Sequence, residues 1–228
     1  MLVILKVFDF ENVANRYDRW YDRPRGAIYD RFEKKVIDKL LRNHTEGKRL
    51  LEVGCGTGHW SEFFSTKGYA ITGIDISERM IMIAKNKNIA RSSFHVMDGH
   101  SMSFADNSFD IAVAITTLEF AADPEVMIAE MGRCVRKAGG TLLFGVLNSL
   151  SKYNRKRKNK AGSPYVSANL FSPEQLKELL EPLGQVQMII AGFVLRHEWL
   201  LALSPVFELI GRLAKSPHGA FIAAKVQL

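Results

Sequence analysis

The sequence predicts an α/β fold built on a doubly wound, mostly parallel sheet, and two observations carry that expectation. Apolar, β-branched runs of strand length recur at residues 49–53, 70–74, 93–96, 109–115 and 140–146. Helically spaced stretches separate most of them, at 60–67, 77–85 and 124–137. Strand and helix taking turns builds right-handed βαβ units, whose parallel sheets are covered by helices on both faces.

Elements outside this alternation follow from local patterns. Over 28–41, Ile28, Phe32, Val36, Ile37, Leu40 and Leu41 share one face of a helix with charges opposite, behind an aromatic and charged stretch over 10–29. Ser172, Pro173 and Gln175 form a helix start, with Ser172 as cap, proline in the first turn and Gln175 closing a capping box. Strand-like 186–194, an apolar helical stretch at 205–214 and a final strand at 220–226 close the chain, and the last two strands are expected to pair antiparallel at one sheet edge.

With 47% hydrophobic and 24% charged residues, the chain reads as one domain over 1–228, with an amino-terminal helical lid and first helix in 1–45. Its longest uninterrupted apolar run is five residues, against roughly 20 for a membrane-spanning helix. The apolar amino end is too short for a signal peptide and lacks a basic start, so a cytoplasmic location is expected. Cys55 and Cys134 lack the partners of a zinc cluster, and no metal site is expected. The net charge of +7 is concentrated: residues 152–160, KYNRKRKNK, hold six of the 31 basic side chains, and the remaining 25 nearly balance 24 acids. Basicity therefore bears on what this segment touches rather than on the whole surface. Its polar composition predicts a mobile loop, able to meet an anionic or membrane surface or to serve no function.

The sharpest chemistry lies in LLEVGCGTG, residues 50–58, between the first strand and the first helix after it. Gly54, Gly56 and Gly58 let the backbone turn tightly and a ligand approach the main chain. Their spacing is not that of the dinucleotide fingerprint, whose third glycine position holds His59, and no Gly-Lys-Ser/Thr phosphate loop is present. A purely structural turn is the alternative. Asp75 ends the second strand, 17 residues past Gly58, where an acid accepts ribose hydroxyls. Asp98 follows the third strand in a Met97-Asp98-Gly99 turn, and Glu52 precedes the glycine loop. Each acid alone could be a loop cap. Together, at the carboxyl edge of neighbouring strands, they suit a cofactor with a ribose, an amine and a positive charge, and would repel a pyrophosphate.

These motifs, followed by GIDIS and by FDIAVAITTLEFAADPEVMIAEMGRCVRKAGGTLLFGVLN, resemble the class I S-adenosylmethionine-dependent methyltransferases, in particular the small-molecule branch with the ubiquinone and menaquinone enzymes. The resemblance spans residues 17–193. It implies a Rossmann-like, three-layer α/β/α fold with a seven-stranded, mostly parallel sheet whose last strand is inserted antiparallel. It also implies S-adenosylmethionine as cofactor and S-adenosylhomocysteine as product. By the same implication Gly54, Cys55, Gly56 and Gly58 border the methionine moiety, Glu52 supports the loop, and Asp75 holds the ribose. Ile76 and Met80 would pack near the adenine, Asp98 and Gly99 would face its amino group, and the segment 115–118, with Ile115, Thr116 and Leu118, would line the methyl-donor pocket. The basic loop, 148–170, would lie near the acceptor entrance. Ala138-Gly139-Gly140 stands where members often have Pro-Gly-Gly. No Asn-Pro-Pro-Tyr follows the fourth strand, which argues against methylation of DNA-base amines.

Candidates around the acceptor are Tyr17, Tyr21, His100, Glu119, Tyr153 and His197, and no catalytic base is singled out. Tyr17 and Tyr21, four apart, are either a lid over the cofactor or core packing. His100 is either a neighbour of the adenine or an exposed loop residue, and Glu119 either faces the acceptor or starts a helix. The apolar stretch 193–213 reads as ordinary buried helix, as an acceptor wall, or as a membrane-surface contact. The expected activity is methyl transfer to a small molecule, with no obligate nucleic acid. An RNA or protein methyltransferase using the basic loop, or a non-catalytic cofactor-binding module, is the alternative.

Overall fold

A computed structural model describes residues 14–15, 17–41, 47–163 and 165–228. The strands are β1 (Arg49–Val53), β2 (Ala70–Asp75), β3 (Ser92–Val96), β4 (Ile111–Ile115), β5 (Thr141–Leu147), β6 (Gln185–Ala191) and β7 (Phe221–Gln227). They form one seven-stranded sheet in the order β3-β2-β1-β4-β5-β7-β6. Every pairing is parallel except those of β7, which runs antiparallel to both β5 and β6. The antiparallel pair at the edge is therefore present, with β7 inserted inside it. The order reverses at β1, between β2 and β4, and this switch point fixes where a ligand crevice opens.

The helices are α1 (Pro24–Leu41), α2 (His59–Thr66), α3 (Glu78–Asn86), α4 (Pro124–Cys134), α5 (Lys152–Lys158), α6 (Pro173–Leu180) and α7 (Ser204–Leu213). Their starts obey capping chemistry. The Ser77 hydroxyl accepts the Met80 N–H, Asp123 accepts from Glu125 and Val126, and Ser172 and Gln175 complete their capping box. α1 starts four residues earlier than expected, at a proline suited to a first turn. α4 ends three residues early because Val135 turns extended and bridges to Phe109, which shortens the expected fourth strand to Ile111–Ile115. The amino-terminal lid falls only partly within the described residues: 1–13, 16 and 42–46 lie outside them.

Strand alternation divides the core in two. On one face Leu51, Ala112, Leu142 and Phe144 meet Ile128 and Met131 of α4 and Leu176 and Leu180 of α6. On the other, Leu50, Ile111, Val113 and Leu143 meet Val36 and Ile37 of α1 and Trp60 and Phe64 of α2. All of β4 and β5 is buried, as expected for strands covered on both faces.

The largest correction concerns the basic segment, expected as a mobile loop. Residues 152–158 form α5, because half of its side chains have partners in the body of the protein. Asn154, 2% exposed, donates from Nδ2 to the carbonyls of Asn148 (3.0 Å) and Ala220 (2.7 Å). Tyr153 stacks on Tyr29 of α1 at 5.1 Å between centroids, and Lys158 donates to the Ala168 carbonyl at 2.6 Å. Lys152, Arg155 and Lys156 point to solvent. Charge density in the sequence thus conceals a helix with one anchored face. Asn154→Ala should lower stability by about 1 to 2 kcal/mol, read from denaturant unfolding; an unchanged midpoint would show that the two hydrogen bonds do not hold α5 in place.

Candidate active site

At the carboxyl edge of β1 the chain turns through its glycines, and backbone hydrogen bonds fix the turn. The N–H groups of Gly54 and Cys55 both donate to the Ile74 carbonyl (2.8 and 2.9 Å), and the Gly56 N–H donates to Asp75 Oδ2 at 2.9 Å. Asp75 Oδ1 accepts the Ser77 N–H at 2.9 Å, so one carboxylate ties the loop after β1 to the start of α3. Gly54 has φ +72°, and a Cβ there would fall 2.3 Å from Thr117 Cγ2. Gly56 has φ +52° and open space where its Cβ would be. One glycine is required by packing; the other leaves room.

The room is a cavity of about 310 Å3 over the β1/β2/β4 edges. Of the residues expected there, Tyr17, Gly54, Gly56, Asp75, Ile76 and Met80 line it, as do Asp98, Gly99, Ile115 and Thr116. Four do not. Glu52 is buried behind the loop, where Ser61 Oγ donates to it at 2.5 Å. Cys55 packs with Ile81, Ala84 and Phe94, and burial pushes its thiol well above its ordinary pKa, against thiolate chemistry. Gly58 is the cap residue of α2 at φ +81°, and Leu118 is fully buried in the core. All four carry the cavity from behind. Thr117, within the segment expected to line the donor pocket, is at the wall as well; residues not anticipated there include Val53, Met97, Phe120 and Met127, whose apolar character reads as core in a sequence.

His100 joins two sides of the cavity rim. Its Nε2 accepts the Asp123 N–H at 3.2 Å, so the ring proton sits on Nδ1, 2.6 Å from Asp98 Oδ1. Burial opposes the charge of Asp98, yet hydrogen bonds from the His100 backbone and ring prevail and hold its carboxyl below the usual range. Thr116, a β-branched residue at φ +50°, sits where β4 enters the cavity, held by its N–H on the Gly145 carbonyl at 2.6 Å. Such a backbone costs of order 1–3 kcal/mol and is found where the surroundings impose it.

Beside this cavity lies a cluster of tyrosines. Tyr17 lines the cavity and joins the cluster, its hydroxyl hydrogen-bonded with the side chains of Tyr21 and Thr116. Tyr21 lies flat on His59 at 3.5 Å, and His59 in turn contacts Asp30 of α1 at 2.7 Å. The residue in the third-glycine position thus fastens the segment that covers the cavity. At the far side of the cluster, Arg157 of α5 stacks 3.7 Å over Tyr165, with Tyr153 and Trp20 also beneath it.

Two carboxyls face this aromatic wall. Desolvation raises Glu33 of α1 to about 8, with Asp30 adding to the shift and Arg157 opposing it. Desolvation likewise raises Glu119 to about 7, although the Leu147 N–H donates to its Oε1; its Oε2 is buried without a partner. Among the anticipated polar residues, Tyr17, Tyr21, Glu119 and Tyr153 converge here, while His197 is exposed and lies against Trp199. Glu33, Tyr29, Arg157 and Tyr165 were not singled out, since each reads as part of an amphipathic helix, a charge run or a loop.

A family model described as a methyltransferase domain matches residues 21–185, most of the chain. The chain belongs to the class I S-adenosylmethionine-dependent methyltransferases. An uncharacterized protein of Methanocaldococcus jannaschii is 35% identical over 77% of this chain and 80% of its own. The ubiquinone biosynthesis O-methyltransferase of Idiomarina loihiensis is 31% identical over 57% of this chain, and the match spans only 56% of that enzyme. Among solved structures, a Thermotoga maritima S-adenosylmethionine-dependent methyltransferase, described as a possible histamine N-methyltransferase, superimposes with a TM-score of 0.73 at 27% identity, covering 96% of this chain and 97% of that one. Among the described residues, no cluster of His, Cys, Asp and Glu could hold a metal ion.

The glycines should separate by substitution. Gly54→Ala combines a left-handed backbone with a collision and should cost about 2 to 4 kcal/mol, whereas Gly56→Ala should cost about 1 to 2 kcal/mol for the backbone alone. Equal melting temperatures for the two variants would contradict the contact with Thr117. The buried Glu119 gives a pH signature. Its folded pKa, about 7, lies above the unfolded value, so its contribution is fully present below about pH 4.5 and is lost as pH rises to about 7. Glu119→Gln keeps the acceptor for Leu147 and should flatten that decline, gaining about 1 to 3 kcal/mol above pH 8 relative to the wild type; parallel stability profiles from pH 4 to 9 would refute the shift.

Proposed function

We propose that the protein transfers the methyl group of S-adenosylmethionine to a small molecule that meets the cofactor beside Tyr17 and Glu33. The observation that carries this reading is the position of Tyr17. It borders the glycine-loop cavity with Thr116, is hydrogen-bonded to it, and joins the tyrosine cluster through Tyr21. A methyl donor in the cavity and an acceptor at this cluster would meet at Tyr17.

The residues present suit the cofactor. Gly54 and Gly56 open the backbone toward the methionine part, Asp75 is placed to accept ribose hydroxyls, and Ile76 and Met80 offer apolar sides to an adenine. Asp98 and Gly99 supply the acceptor edge near its amino group. Acids rather than cations on this rim favour a ligand with an ammonium and a sulfonium over one with a pyrophosphate. When bound, the cofactor supplies a methyl on a positive sulfur; the carbon–sulfur bond breaks as the bond to the acceptor forms, leaving S-adenosylhomocysteine. The chain's share is to hold the partners in line and exclude water. Glu33, raised to about 8, suits removal of a proton from an acceptor N–H or O–H near neutral pH.

The reading as an RNA or protein methyltransferase keeps fewer free cations than the sequence offers, since Arg157 is held by aromatic rings and Lys158 by the Ala168 carbonyl while Lys152, Arg155 and Lys156 face solvent. Of the similar proteins, one is described as an O-methyltransferase and another as a possible N-methyltransferase, so the test uses labelled cofactor with both amine and hydroxyl acceptor pools. Cofactor binding itself is testable first. At about 100 times its dissociation constant, S-adenosylmethionine should add roughly 2.7 kcal/mol and raise melting by about 5 to 10 °C. Asp75→Asn should weaken its affinity about 10- to 150-fold, from the loss of charge-assisted bonds worth about 1.5 to 3 kcal/mol. Unchanged affinity by calorimetry in a folded variant would remove Asp75 from the ribose site, and no melting shift with S-adenosylmethionine would sink the reading.

A further inference from the structure

α7 is packed inside out. Its buried face is Ser204, Glu208 and Gly211, spaced four and three apart, while Val206, Phe207, Leu209, Ile210 and Leu213 face solvent. The preceding 3-10 turn, Glu198–Leu203, adds Trp199 and Leu203 to the same apolar surface. Trp199 is 79% exposed, Leu213 74% and Leu209 59%. The inversion has a local cause. Glu208 Oε2 accepts the N–H groups of Gly192 and Phe193 (2.9 and 3.0 Å), and Gly211 lies flush on the Phe193 ring. The helix is fastened by its polar side, and its apolar side has no partner among the described residues.

We propose that this apolar face docks on an anionic lipid surface, lying in the interface. Three observations select that occupant. The patch has the composition of an interfacial helix, with tryptophan at one end and leucine, isoleucine and phenylalanine along it. The stretch that carries it, 194–216, is basic at its surface: Arg196 and Lys215 are exposed towards its two ends and Arg212 is half-buried between them, against Glu198 as the exposed acid of that stretch. A second copy seated face to face would bring these cations together, like charge against like, whereas an anionic surface attracts them. The patch also adjoins the tyrosine cluster. Arg25 of α1 donates to the carbonyls of Leu195 and Arg196 (2.7 and 2.5 Å), and Tyr29, one turn on, packs by Gly192 and stacks on Tyr153. Among the described residues no helix is long and apolar enough to cross a membrane, so the contact is lateral.

The test is co-sedimentation of the full chain with vesicles of phosphatidylcholine alone and of phosphatidylcholine mixed with phosphatidylglycerol, alongside analytical ultracentrifugation of the protein by itself. Leu209→Glu with Leu213→Glu changes two side chains that face solvent, and circular dichroism checks that the fold is kept. The wild type should bind the mixed vesicles at least about tenfold better than the neutral ones, with a blue shift of tryptophan emission absent from Trp199→Phe. The double variant should bind at least about tenfold more weakly. Equal binding to both vesicle types, or undiminished binding of the double variant, would overturn the proposal. So would a protein that ignores vesicles but forms a dimer dissolved by the double variant, which would make the face a self-interface.

Discussion

The carboxylate of Asp75 is the constraint on which the site depends. It ends a strand at the switch point of the sheet, and its two oxygens accept one N–H from the glycine loop and one from the start of α3. The Ile74 carbonyl beside it takes two further N–H groups of the loop. Backbone donors that a tight turn would otherwise leave unpaired are thus satisfied by the neighbouring strand, and the loop can stay open toward the cavity without a side chain to prop it. Glu52, Cys55, Gly58 and Leu118 then act from behind, filling the space under a surface that must remain thin.

A second constraint is desolvation. Glu33, Glu52 and Glu119 are all driven toward their neutral forms by burial, and among the described residues none forms a salt bridge that would hold it ionised. Arg157, whose charge opposes the shift of Glu33 and Glu119, spends its contact on Tyr165, Tyr153 and Trp20. The surroundings of the tyrosine cluster are therefore polar in their atoms, and the charge of Glu33 and Glu119 changes in the range where proton transfer to a carboxylate is useful.

How much of this was legible follows from the range of each interaction. The glycine loop, Asp75, Asp98 and the caps of α3, α4 and α6 depend on contacts within one strand–turn–helix unit or on the known order of such units, and the sequence pattern exposes them. Glu33 and Arg157 are different. Glu33 occupies the polar side of an amphipathic helix, where solvent is the ordinary neighbour, and only the crossing of α5 and the residues around Tyr165 removes the water. Arg157 sits in a run of six cations that differ by neighbours rather than by type. The same holds for α5: KYNRKRKNK has no apolar periodicity, yet Tyr153, Asn154 and Arg157 find distant partners, in α1, at Ala220 66 residues on, and around Trp20.

α7 carries this reasoning one step further, because its pattern was legible and its orientation was not. Periodicity tells which residues share a helix face, but not which face is turned inward. The usual rule places the apolar face in the core, since burial of apolar surface is the larger gain. Here the loop that follows β6 leaves the N–H groups of Gly192 and Phe193 pointing into the protein, and an unpaired buried donor costs about 1 to 3 kcal/mol. Glu208 answers both, and Gly211 gives the Phe193 ring a flat seat. Once that polar side is committed, the apolar side must face out. A helix whose orientation is set by backbone donors, rather than by its own hydrophobicity, carries an exposed apolar surface as a direct consequence.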